Sequence, residues 1–254
     1  MRCANRIGVA AAAVVLVGAA VLAGSAQAYE LQMAPSGEAV RWQHDEVVFD
    51  LSPLAEVGDG VAEEIAGRVL ETWSAAGGPV LVAGASADAA MVTGSIRWAS
   101  NPSDPGVDPD VLAVTHLKFD SESGEITRAD IVVNGARFRW AAGDSCSDAF
   151  DLESTLAHEM GHALGLKHSA VEEATMFTRP APCARERRDL AADDVEAIAD
   201  LYSRPTAGDD QAATDGASMG GCSAAGTRGT SGGVMLLLVV AAVALARSRM
   251  FLRR

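Results

Sequence analysis

The chain has 254 residues, 49% of them hydrophobic, with a formal net charge of −14 and a pI of about 4.7. Length alone admits one or two domains. The acidic balance argues against nucleic acid or anionic lipid as a partner; it suits solubility and cation binding without specifying either.

The chain opens with Arg2 and Arg6, an apolar run from Ile7 to Gly24, and small residues ending in "AQA" at Ala26–Ala28. This is the plan of a secretory signal peptide, so residues 1–28 are set apart from the fold, with an uncleaved N-terminal anchor as the alternative. Cys3 precedes the run and would leave with the signal. Residues 29–203 then form one domain of ordinary size, large enough for a real core. "DEVVFDLS" (Asp45–Ser52) alternates and is β-branched, so it predicts a strand. Val61, Ile65, Val69, Leu70 and Trp73 recur at helical spacing, and Gly77-Gly78 stops that helix. "PVLVAG" and "MVTGSIRWA" predict two more strands. The turn-rich "SNPSDPGVDPD" leads to a strand at "VLAVTHLKFD", a hairpin turn at "SESGE" and a returning strand at "ITRADIVVNG". "FDLESTLAHEMGHALGL" predicts a helix capped by Asp151. "DLAADDVEAIADLY" predicts the last helix, with Leu190, Val195, Ile198 and Leu201 on its buried face and acids in its first turn. Strands first and helices late make an α+β pattern.

Residues 204–233 are rich in Gly, Ala, Ser and Thr and are expected to form a flexible linker. Residues 234–254 hold the rest of an uncharged run reaching Ala246, followed by Arg247, Arg249, Arg253 and Arg254. The run is short for a membrane helix, which needs roughly 20 apolar residues. If it spans, the arginines would stay cytoplasmic and the domain would face outward. Of the remaining cysteines, Cys146 and Cys183 lie inside the domain and flank the histidine cluster. In an exported protein they are most simply a disulfide. Cys222 is left alone in the linker, within "GGCS".

Three of the chain's five histidines, His158, His162 and His168, fall within "LAHEMGHALGLKH". His158 and His162 are one turn apart on the predicted helix, so both imidazoles leave the same face. Gly165 can take the left-handed conformation and turn the chain back, bringing His168 to the same ion. Three such ligands suit zinc and leave its fourth position for water, the catalytic arrangement. Glu159, beside the first ligand, can take that water's proton without binding the metal itself. The alternative, a zinc-containing surface module that binds peptides without turnover, stands beside this reading.

The complete H-E-x-x-H-x-x-G-x-x-H pattern, followed by "ATMF", resembles the metzincin metallopeptidases, and within them the matrixin-like branch. The likeness extends from about Val40 to Tyr202. It implies a zincin-like catalytic domain with a twisted mixed sheet of five strands and three helices. It also implies a zinc endopeptidase, with Met176 as the methionine of a Met-turn beneath the metal. Substrate would lie extended against an edge strand, here "VLAVTHLKF". Residues between His168 and Cys183 would wall the pocket for the side chain after the scissile bond. A monomeric catalytic domain is expected. Between the signal and the domain there is no cysteine, so the cysteine switch of matrix metalloproteinases is not expected. Nor is their second, structural zinc, because only His44 and His116 remain; His116 is expected to be a strand residue facing the cleft or solvent. Calcium stays open: Asp104, Asp108, Asp110, Asp120 and Asp130 offer oxygens, and aspartate serves loops and hairpins in any case. The tail resembles MYXO-CTERM-type sorting signals, which implies that Cys222 is a processing or attachment point for display at the cell surface or release. A plain single-span membrane anchor with an incidental cysteine is the alternative.

Overall fold

The alternating stretch around Val47 and Phe49 forms strand β1 (Glu46–Asp50), with both side chains fully buried. In the computed structural model, which describes residues 28–54, 60–84, 93–104, 106–203 and 234–237, four further strands join it. They are β2 (Val80–Gly84), β3 (Gly94–Ala99), β4 (Ala113–Asp120) and β5 (Ile126–Asn134). The order is β2-β1-β3-β5-β4. The first four positions run parallel, and β4 turns back against β5 through a hairpin. That hairpin closes where Gly124 takes a φ of 72° and the Asp120 carboxylate accepts the backbone N–H groups of Glu122 and Ser123.

Helix α1 (Val61–Ser74) buries the face carrying Ile65, Val69, Leu70 and Trp73. Helix α2 (Leu152–Ala163) lies beside it, and the Trp73 indole donates to the Ala157 carbonyl at 2.9 Å. Phe49, Trp73, Phe119, Ile131 and Leu156 belong to one continuous core between helices and sheet. The predicted α+β architecture, five mixed strands with three helices, is the one observed, and a sixth strand joins the sheet at its β4 edge.

Three features differ from the sequence reading or add to it. The third helix, α3 (Ala192–Ser203), buries Asp194, Ala197, Ile198 and Leu201, whereas Val195 is 40% exposed and faces out. The helix is rotated because a carboxylate, not an aliphatic chain, is wanted at its inner N-terminal corner. Two short strands, β6 (Trp140–Ala141) and β7 (Phe150–Asp151), pair in parallel ahead of α2, too short to leave a periodic signal. Lastly, Val234–Leu237 form a strand, β8, antiparallel to β4 from Leu117 to Asp120. These four residues come from the apolar run considered above as a membrane helix. Extended, they satisfy backbone groups along an otherwise unpaired edge. No helix among the described residues is long and apolar enough to cross a membrane. The signal-like segment up to residue 27, the linker 204–233 with Cys222, and residues 238–254 lie outside the described residues.

Candidate metal centre

Asp151 starts α2 by accepting the Ser154 N–H at 2.9 Å, as an N-cap should. Its buried carboxylate also takes two bonds from the Arg188 guanidinium, at 2.9 and 2.6 Å. The helix ends in a Schellman turn: Leu166 N–H reaches the Gly161 carbonyl and Gly165 N–H that of His162, both at 3.0 Å. Gly165 has a φ of 103°, and a Cβ there would lie 1.9 Å from the Val40 carbonyl oxygen, so only glycine fits. The turn sends the chain back over the helix face.

That reversal brings His168 to His158 and His162. The ring centroids lie 4.8, 5.2 and 4.9 Å apart, and one donor atom from each falls within 4.8 Å of the others. His158 and His162 are buried and His168 is half-buried. The His158 Nδ1 bonds the Thr175 carbonyl and the His162 Nδ1 the Leu166 carbonyl, each at 2.8 Å. Those bonds require the proton on Nδ1 and leave Nε2 as a bare lone pair, the tautomer a metal ligand needs. The Nε2 atoms of all three histidines are buried with no hydrogen-bond partner in the protein. Burial pushes the His158 imidazole down to about 4 and those of His162 and His168 below their usual value, so all three are neutral near pH 7. Three convergent, neutral, unpartnered imidazole nitrogens fit a zinc ion.

Glu159 is 1% exposed and lines a cleft with His158. Burial pushes its carboxyl up to about 7, while a hydrogen bond from Thr115 pulls the other way. The Thr115 hydroxyl lies 2.7 Å from Glu159 Oε2 and 3.0 Å from the Glu159 carbonyl oxygen. The cleft deepens into an apolar pocket walled by Leu112, Phe150, Phe177, Pro180, Ala181 and Ala184, with Asp151 also on its lining. The segment between His168 and Cys183 thus supplies one wall. Arg187 stacks on Phe177, 5.0 Å from the ring centroid, and both line the pocket.

Met176 is 1% exposed and packs on α2: a Cβ on Gly161 would lie 2.2 Å from its sulfur. Its loop is held by Asp194, whose carboxylate accepts the N–H groups of Thr175, Met176 and Ala191 at 2.8, 3.0 and 2.9 Å. Sequence reasoning missed Asp194, Arg188, Thr175 and Thr115. The signal for Thr115 was a hydroxyl on the buried face of β4, between Ala113 and Leu117. The signal for Asp194 was its helical spacing from Ala197, Ile198 and Leu201.

Cys146 and Cys183 are joined, 37 residues apart in the chain, and the Cys183 N–H also bonds the Ala149 carbonyl. The link fixes the far end of the pocket wall to the segment that enters α2. His116 donates from Nε2 to the Gly106 carbonyl at 2.8 Å, and so braces a loop. His44 lies 3.5 Å from Glu125. Asp104 makes two bonds to Arg97, Asp130 pairs with Arg128, Asp120 caps the β4–β5 turn and Asp108 accepts the Asp110 N–H. Among the described residues, the histidine triad is the cluster whose donors converge on one point.

A matrixin family profile matches residues 41–203. Metalloendoproteinase 5-MMP of Arabidopsis thaliana is 36% identical over 127 residues, 48% of this chain and 28% of that protein. Metalloendoproteinase 1-MMP of the same plant is 38% identical over 95 residues, covering 34% of this chain and 26% of its own length. Stromelysin-1 of Mus musculus is 47% identical over 55 residues, 21% of this chain and 12% of that protein. The chain therefore spans under a third of each of these relatives. The profile, by contrast, covers more than half of the chain and takes in β1 to β5, the triad and α3, and on that match the chain belongs to the matrixin family.

Proposed function

We propose that this chain is an exported zinc-dependent endopeptidase in which Glu159 is the general base. The observation that carries the reading is the pairing of three unpartnered histidine Nε2 atoms with a buried carboxylate on the helix that bears two of them, beside an apolar pocket. His158, His162 and His168 would hold the ion. Zinc, when bound, supplies a Lewis acid that acidifies water and polarises the scissile carbonyl. Glu159 takes the proton from the attacking water and passes it to the leaving amine nitrogen.

An extended peptide or protein substrate would add to the edge of β4. The β8 strand covers that edge only from Leu117 to Asp120, and Ala113 to His116, next to Glu159, have no paired strand on that side among the described residues. The side chain after the scissile bond would enter the pocket between Leu112 and Phe177, which favours an apolar residue. Met176, packed under α2, would serve as the floor of the site. Export is supported by the signal-like N-terminus and by the Cys146–Cys183 bond, which persists in oxidising compartments. The order of Cys222, apolar run and arginines supports display at the cell surface or release from it, with Cys222 as the processing point.

Casein zymography with and without a chelator tests the reading. Chelation is expected to abolish clearing, and Glu159→Ala to lower the rate by roughly 10²–10⁴-fold. Full activity in Glu159→Ala would overturn the assignment, and zinc and peptide binding without any cleavage would favour the silent binding module.

A further inference from the structure

We infer that Thr115 is a positioning residue for Glu159, a role that rests on the hydrolytic reading above. The inward face of β4 carries Ala113, Thr115, Leu117 and Phe119, all buried. Three of these are apolar and pack on the core, as the alternation requires. A hydroxyl at the fourth, fully buried position is costly unless it is bonded. Its acceptors are both on Glu159, and the shorter contact, 2.7 Å, is to the carboxylate oxygen Oε2. A threonine hydroxyl has one proton to donate. Given to Oε2, it ties one oxygen of the base to the rigid sheet and leaves the other for the proton of the attacking water.

The tie addresses a geometric need. A glutamate side chain has three rotatable bonds, and proton transfer requires a heavy-atom separation of about 2.6–3.2 Å. Helix α2 sets the Cα of Glu159, but the helix backbone does not set the carboxylate. Threonine does, because its β-branched side chain has few χ1 options and its strand is hydrogen-bonded to β5 along its length. The same strand presents the open edge proposed for substrate pairing, so the substrate backbone and the base would be referenced to one element.

The test uses the zinc-loaded protein, a fluorogenic peptide with leucine after the scissile bond, and the variants Thr115→Val, Thr115→Ser and Glu159→Gln. Thr115→Val is expected to lower kcat roughly ten- to a hundredfold with KM and zinc content little changed, and Thr115→Ser to restore most of the rate. A crystal structure of zinc-free Thr115→Val supplies a readout independent of turnover: the Glu159 carboxylate is expected to leave its place beside β4. Should Thr115→Val not fold, Thr115→Ala removes the hydroxyl without adding bulk and is judged by the same measurements. Wild-type kcat in the hydroxyl-free variant, or a Glu159 carboxylate that has not moved, overturns the inference. So does a kcat loss that serine does not repair. An inactive Glu159→Gln beside a fully active Thr115→Val discards the role of Thr115 alone. An active Glu159→Gln, or a wild-type protein without turnover, removes the hydrolytic reading and this inference with it.

Discussion

A single carboxylate, Asp194, connects the closing helix to the metal centre. Its oxygens accept three backbone N–H groups, two from the Met176 loop and one from the start of α3. The Thr175 peptide held in this way presents its carbonyl to His158 Nδ1 and thereby sets that ligand's tautomer. Burial raises the Asp194 carboxyl, and the backbone bonds from Thr175, Met176 and Ala191 oppose the rise. Removing the carboxylate would strand buried donors, each worth about 1–3 kcal/mol. Asp194→Ala is therefore expected to destabilise the protein by about 3 kcal/mol or more, measured by urea unfolding. It should also weaken zinc retention in competition with a chelator. A neutral outcome would mean that water replaces the carboxylate at no cost.

Helix α2 carries two of the three ligands, the base, and a glycine whose place is set by packing. A Cβ on Gly161 would meet the Met176 sulfur at 2.2 Å and the Trp73 ring at 3.0 Å. Gly67 on α1 has no atom within 4 Å of a would-be Cβ. The same substitution is thus expected to have opposite signs in the two helices. Gly67→Ala should stabilise by about 0.5–1 kcal/mol through helix propensity. Gly161→Ala should destabilise by about 1–2 kcal/mol, because overpacking outweighs that gain. Thermal unfolding of both variants decides it, and equal signs would mean that the Met176 side chain yields freely. The far end of α2 is closed by other elements: the Trp42 indole donates to the Ala163 carbonyl and the Tyr202 hydroxyl to that of Leu164, at 2.9 and 3.0 Å. These bonds satisfy carbonyls that the helix itself leaves unpaired.

Across the whole molecule, the buried imidazoles link stability to pH. In the zinc-free protein the three histidines have folded values below the usual 6.5, that of His158 at about 4. Between those limits the unfolded chain binds more protons than the folded one, so stability falls as pH is lowered from 6.5 toward 4. Glu159, raised from 4.5 to about 7, acts in the opposite sense, contributing most below 4.5 and losing its contribution as pH rises through 7. Asp194, also raised by burial, acts in the same sense as Glu159, and three histidines against these two carboxyls predict a net loss of stability on acidification across this window. The urea midpoint of the zinc-free protein should drop between pH 6.5 and pH 4, and His158→Gln should flatten that drop. A midpoint that rises on acidification would show that Glu159 dominates. Asp104, held down to about 2 by Arg97, adds a further loss only below its usual 3.8.

Local events are legible in the amino acids alone: the helix that places His158 and His162 one turn apart, the N-cap at Asp151, the reversal at Gly165 and the alternation of β4. Each depends on neighbours a few residues away, where periodicity and backbone preference act, and the α+β class follows from their order. The direction in which α3 faces needs the folded chain, because burying Asp194 in place of Val195 depends on donors from a loop remote along the chain. The same holds for Thr115 meeting Glu159, 44 residues on, and for Arg188 meeting Asp151, 37 residues back. A threonine on an apolar strand face and an arginine in an acidic chain have many local explanations. Their partners are chosen by the packing of a helix on a sheet, which no short stretch of residues encodes.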